Sequence, residues 1–123
     1  MTDEIAGIRQ DRLAAFAKRE AAIYAKARPK SLKALAAGAD GLKIFPAEML
    51  APHVVKAMCA VFPKQTIMIP VGGIVPEIMA EFWRAGASAF GLGSALYRPG
   101  ATPAQVRASA MGFVRAAETL QSH

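Results

Sequence analysis

The chain alternates between two kinds of hydrophobic pattern. Short, nearly continuous apolar runs occur at Leu42-Lys43-Ile44-Phe45, Ile67–Val71 and Ala89–Leu92. Each is too short for a helix and is bounded by glycine or proline, so each is predicted as a strand. Between them lie stretches with apolar residues at helical spacing. One follows Pro52, with Val54, Val55, Met58 and Val61, and another follows Pro76, with Ile78, Met79, Phe82 and Trp83. Proline suits the first turn of a helix, where its missing N–H costs nothing. Gly86 ends the second of these helices. A last helix, opened by Thr102-Pro103-Ala104-Gln105, runs to about Leu120, with Thr102 as N-cap and Gln105 three residues on.

The N-terminal part carries two further helices. Residues 3–28 space Leu13, Phe16, Ile23 and Tyr24 on one face, with Asp3 and Glu4 at the favourable end of the dipole. Pro29 interrupts this segment, and a second helix, about Ser31–Ala37, stops at Gly38. The segment Ala37-Gly38-Ala39-Asp40-Gly41-Leu42-Lys43-Ile44 is echoed 48 residues later by Ala85-Gly86-Ala87-Ser88-Ala89-Phe90-Gly91-Leu92. Both read as a helix cap turning into a strand. Regular alternation of helix and strand predicts an α/β chain with three parallel strands covered on both faces. In such folds the chemistry collects at the carboxyl ends of the strands.

Composition narrows the options. With 123 residues and 54% hydrophobic content, the chain has enough material for one core. The single cysteine, Cys59, excludes an internal disulfide framework and fits a reducing cytoplasm. No apolar run is long enough to span a membrane, and the metal-ligand spacings of His and Cys are absent. The net charge of +6 is concentrated in residues 1–35, which carry +4. Those charges are mixed in sign and lack an aromatic platform, so they read as a solvated helix face and not as a nucleic-acid surface.

Candidate chemistry gathers at the strand ends. Lys43 is out of place in an apolar strand. A desolvated lysine loses its preference for the ammonium form and becomes a nucleophile toward carbonyls, the first requirement of Schiff-base chemistry. Gly72-Gly73 and Gly93-Ser94 follow the second and third strands. Glycine turns let backbone N–H groups approach an anion, and barrel folds build phosphate sites from such loops. Glu48 is a carboxylate at the same mouth, expected to be solvated. Tyr97 and Arg98 receive no assignment.

Three motifs, AGADGLKIFPAE (37–48), IPVGGIVPE (69–77) and AGASAFGLGSALYRPG (85–100), occur in an order and spacing that resemble the 2-keto-3-deoxy-6-phosphogluconate and 6-phosphogalactonate aldolases. The similarity runs from about Leu32 to Leu120, and GSALYRPG leans toward the phosphogalactonate branch. The resemblance implies a class I aldolase on a (β/α)8 TIM barrel, usually trimeric, cytoplasmic and without a cofactor. Lys43 matches the Schiff-base lysine. Gly72, Gly73 and Ser94 match phosphate-binding positions, with Gly93 beside them. The implied reaction cleaves a phosphorylated 2-keto-3-deoxy sugar acid to pyruvate and D-glyceraldehyde 3-phosphate.

By this resemblance residues 31–123 correspond to the C-terminal part of the barrel, its sixth to eighth strands. Residues 1–30 do not resemble the family and read as a helical leader of unclear origin. A complete barrel takes at least ~200 residues. The early-strand glutamate that serves the family as general base, and an arginine near it, have no counterpart here. The alternative reading is therefore an incomplete half-barrel that binds phosphate or self-associates without turnover. Loss of an acid–base group costs ~10²–10⁴-fold in rate. Open sheet edges would then call for a homo-oligomer or a separately encoded partner. Other barrel phosphate-binders share the glycine loops but have no use for the lysine.

Overall fold

A computed structural model of the chain describes residues 29–121. The helix expected over 3–28, and most of the leader, lie outside these residues. The element order is helix α1 (29–36), strand β1 (Gly41–Ile44), a 3-10 turn (Ala47–Met49), helix α2 (Pro52–Val61), strand β2 (Ile67–Pro70), helix α3 (Pro76–Ala85) and helix α4 (Pro103–Gln121). The α/β alternation read from the sequence is present, and Pro29 is itself helical.

Both glycine caps form as their sequence suggests. Gly38 (φ 95°) ends α1, with Gly38 N–H donating to Leu35 O and Ala39 N–H to Ala34 O. Gly86 (φ 114°) ends α3 in the same way, with Gly86 N–H on Trp83 O and Ala87 N–H on Phe82 O. These paired bonds are the Schellman arrangement, which satisfies the last carbonyls of a helix. Cys59 packs against the second cap. Its Sγ is 3.8 Å from Gly86 O, and burial pushes its thiol pKa up from the ordinary 9.0.

The expectation of three parallel strands is corrected. β1 and β2 pair in parallel with Lys43 opposite Ile69, but the third segment forms a single isolated bridge, Val71 to Gly91, just beyond the end of β2, and is not a strand of the sheet. Ser88 N–H and Gly91 N–H donate to Met68 O and Pro70 O at 2.8 and 2.9 Å. The return bond from Met68 N–H goes to the Ser88 hydroxyl at 3.3 Å, where a ladder would use a backbone carbonyl. Pro70 has no N–H to give. Segment 88–92 thus lies along β2 without building a ladder.

One face of the sheet is packed. Leu42, Ile44 and Met68 join Val54, Val55 and Met58 of α2, Met79 and Phe82 of α3, and Phe113 of α4 in a single cluster. The opposite face carries Gly41, Lys43, Ile67 and Ile69, and among the described residues nothing covers it fully. Ile67 is 43% exposed. The apolar run over 67–71 predicts cover on both faces. A parallel strand of that composition is ordinarily buried on both, whereas here, among the described residues, only the helix-packed face is.

Candidate functional site

The end of β1 is tied to the end of β2 by two backbone bonds. Val71 N–H donates to Ile44 O at 2.8 Å, and Ala47 N–H donates to Val71 O at 2.7 Å. Between them the chain passes through Phe45 and a cis peptide to Pro46. Ala47 is buried, anchoring the 3-10 turn, while Phe45 is 65% exposed on the open side. Strand alternation places Lys43 and Phe45 on that same side.

Lys43 is exposed, not buried as the apolar run suggests. Its neighbours in sequence, Leu42 and Ile44, take the covered face instead. The Lys43 ammonium nitrogen lies 5.5 Å from the centroid of the Phe45 ring, within cation–π reach. The same ring lies over Gly72, where a Cβ would come within 3.1 Å of two ring carbons. One aromatic side chain therefore bridges the amine and the first glycine of the turn after β2.

The two glycines of that turn have different neighbours. Gly72 (φ 103°) sits under Phe45 and Pro46, and Gly73 (φ 67°) sits under Glu48. A Cβ on Gly73 would stand 2.7 Å from Glu48 Cβ and 2.8 Å from its Oε2. Glu48 is exposed, as expected for a loop carboxylate, yet its side chain lies against the glycine turn. The second glycine loop starts two residues beyond the Val71–Gly91 bridge. Gly93 has open space where a Cβ would go and Ser94 is exposed.

The fold thus brings Lys43 and Gly72-Gly73 to neighbouring strand ends, with Gly93-Ser94 on the next segment. Phe45, which links the first two, reads in the sequence only as a strand residue. The signal that could have found it is the period-two alternation of KIFP, which puts Lys43 and Phe45 on one face. Arg98, without an assignment in the sequence, donates from its Nε to Ser94 O at 3.0 Å. His53 lines a separate hollow with Lys56, Glu81 and Arg84. Among the described residues no three His, Cys, Asp or Glu side chains are grouped to hold a metal ion. No described helix is long and apolar enough to cross a membrane.

This arrangement has relatives. The family described as KDPG and KHG aldolase matches residues 7–106. The chain belongs to that family. The match begins inside residues 1–30, the stretch read as a leader of unclear origin. Over 87 residues, 71% of this chain, the sequence is 41% identical to 2-dehydro-3-deoxy-6-phosphogalactonate aldolase of Escherichia coli (strain K12). It is equally similar to the probable enzyme of that name from Rhizobium meliloti (strain 1021). The aligned part spans 42% and 41% of those two relatives, so the chain matches about two fifths of their length. Among solved structures, one described as native KDPGal superposes with a TM-score of 0.76 at 38% identity, over 78% of this chain and 47% of the other. A cube-shaped protein cage designed by fusing symmetric oligomeric domains superposes with a TM-score of 0.75 at 39% identity, over 77% of this chain and 35% of that one.

Proposed function

We propose that this chain carries the Schiff-base lysine and phosphate loops of an aldolase that cleaves 2-dehydro-3-deoxy-6-phosphogalactonate, or its gluconate epimer, to pyruvate and D-glyceraldehyde 3-phosphate. The observation that carries the reading is the bridge from Lys43 through Phe45 to Gly72, which sets the lysine amine beside an anion-compatible glycine turn. Lys43 attacks the C2 ketone and water leaves, giving a protonated imine. A base removes the C4-hydroxyl proton, the C3–C4 bond breaks, and its electron pair flows into the imine. Glyceraldehyde 3-phosphate departs and an enamine of pyruvate stays on the lysine. Protonation at C3 and hydrolysis then release pyruvate and restore the amine.

In this reading Gly72, Gly73, Gly93 and Ser94 receive the substrate phosphate through backbone N–H groups and the serine hydroxyl. The two strands and segment 88–92 correspond to the last three strands of a (β/α)8 barrel, whose carboxyl end is the active face. The open sheet face, with Phe45 65% and Ile67 43% exposed, favours a covered state, such as a homo-oligomer in the cytoplasm, because contiguous exposed apolar side chains mark interaction sites.

Borohydride reduction in the presence of pyruvate, followed by peptide mass spectrometry, tests the reading. The expected result is a reduced pyruvyl adduct on Lys43 that is absent from Lys43→Ala. Folded wild-type protein without that adduct would refute the assignment.

A further inference from the structure

The second glycine loop accepts a hydrogen bond from an arginine that the reaction above does not use. Gly93 O accepts Leu96 N–H at 2.9 Å and Tyr97 N–H at 3.1 Å, so one helical turn starts there. Were the turn to continue, Ser94 O would accept the backbone N–H of Arg98. The next residue is Pro99, and helices usually end at or before the residue preceding a proline. The chain instead makes a tight turn over 98–101, with Ala101 N–H on Arg98 O at 3.0 Å and Gly100 at φ 86°. Proline second and a positive-φ glycine third suit a type II turn. Ser94 O is left to the Arg98 side chain, whose Nε–H fills it at 3.0 Å. Charge-assisted bonds of this kind are stronger than neutral ones.

Beyond the type II turn, Thr102 and Gln105 close a reciprocal capping box at 2.9 and 3.2 Å, fixing the start of α4. Ser94, Arg98, Gln105 and Ser109 share the lining of a hollow of about 410 Å³. The loop is therefore held from both sides, by a cap that uses only its own residues and by one guanidinium.

We propose that Arg98 is a positioning residue for the substrate's phosphate group. It holds the Ser94 carbonyl, and so orients the Ser94–Ala95 peptide plane, and with it the Ala95 N–H offered to the phosphate. It also keeps a permanent cation beside the loop. This rests on the reading that Gly93 and Ser94 take the phosphate. A lysine could keep the charge but not the planar donor, so Arg98→Lys retains part of the effect and Arg98→Gln little of it.

The test is an amide-resolved NMR titration of the full chain with inorganic phosphate. Saturable shifts at Gly93, Ser94 and Ala95 are expected in the wild type. Affinity should fall by ~10-fold or more in Arg98→Gln, with Arg98→Lys between the two. Equal affinity in wild type and Arg98→Gln would overturn the proposal, as would a wild-type chain that shows no saturable response. Arg98 is exposed, so amide shifts outside 91–101 should not change on substitution. Changes spread through the chain would mean that Arg98 supports the fold and not the loop, and would also overturn the proposal. Pyruvate trapping on the wild type is read separately. An adduct on Lys43 without phosphate binding would sink the Arg98 assignment alone, and phosphate binding without an adduct would sink the lysine assignment.

Discussion

Replacing each site glycine by alanine separates what the fold needs from what a ligand needs. Gly93 has ordinary backbone, and a Cβ added to it would meet nothing within 4 Å, so Gly93→Ala should change stability by no more than about 0.5 kcal/mol. Gly73 differs on both counts. Its φ of 67° is left-handed, which costs an alanine ~1–2 kcal/mol. The new Cβ would stand 2.7 Å from Glu48 Cβ, an atom fixed to the 3-10 turn and unable to swing away, and overpacking adds ~1–3 kcal/mol. Gly73→Ala should therefore lose ~2–5 kcal/mol, a large part of the ~5–15 kcal/mol that holds a typical domain. Gly72→Ala falls between them. Its φ of 103° is unfavourable and its Cβ would press the Pro46 Cα at 3.3 Å, but the Phe45 ring it would also meet is largely exposed and can move, so strain of ~1–3 kcal/mol dominates. Urea unfolding at constant m-value gives the stabilities, and a phosphate titration of the same variants gives the binding. Gly93→Ala should keep its urea midpoint and lose phosphate affinity by ~10-fold, because a Cβ obstructs close backbone approach. A Gly93→Ala protein as unstable as Gly73→Ala would refute the loop geometry. A stable Gly93→Ala that binds phosphate as the wild type does would remove Gly93 from the site.

Three further outcomes follow from the packing. Gly86→Ala should destabilise through its φ of 114° and through overlap with the Cys59 sulfur, 2.7 Å from the added Cβ. Cys59→Ala in the same background should recover ~1–3 kcal/mol in a double-mutant cycle by urea unfolding, and strict additivity would argue against the contact. Because burial raises the Cys59 thiol pKa, the unfolded chain loses that proton first. Stability should then fall as pH rises past the ordinary thiol range, and the slope should shrink in Cys59→Ala. Thr102→Ala removes one half of the capping box and should cost about 1 kcal/mol by thermal or urea unfolding, with the loss confined to the start of α4 in amide exchange.

The helix caps and strand ends were legible because they are written in local chemistry. Gly38 and Gly86 adopt the left-handed backbone that their place after an apolar helical run requires. Pro52, Pro76 and Pro103 each open a helix. The third strand was not legible. Ala37–Ile44 and Ala85–Leu92 match at their caps, but a ladder depends on the partner across the sheet. Segment 88–92 meets an edge that includes Pro70, and Ser88 offers Met68 a hydroxyl in place of a carbonyl. The covering of Lys43 was illegible for a related reason. A run such as Ile67-Met68-Ile69-Pro70 reads the same whether one face is packed or two, and only the placement of helices decides it.

That exposure sets a condition on the chemistry. A lysine amine turns nucleophilic near neutrality when its surroundings disfavour charge. Packing on the helix side of the sheet cannot supply this for Lys43, because strand alternation turns Leu42 and Ile44 toward that core and Lys43 away from it. In the proposed reaction the cover would have to come from the open face. Phe45 supplies an apolar wall on one side of the amine, and the backbone bonds that tie the two strand ends bring its Cα beside the glycine turn. A ligand seated between the lysine and the glycine turn would lie along that ring. It would bring its own apolar carbons over the amine while its anionic end met the turn. If Lys43 is the Schiff-base lysine and the glycine turn takes the phosphate, as proposed above, binding and activation would be one event, with the turn deciding where the substrate's other end lies.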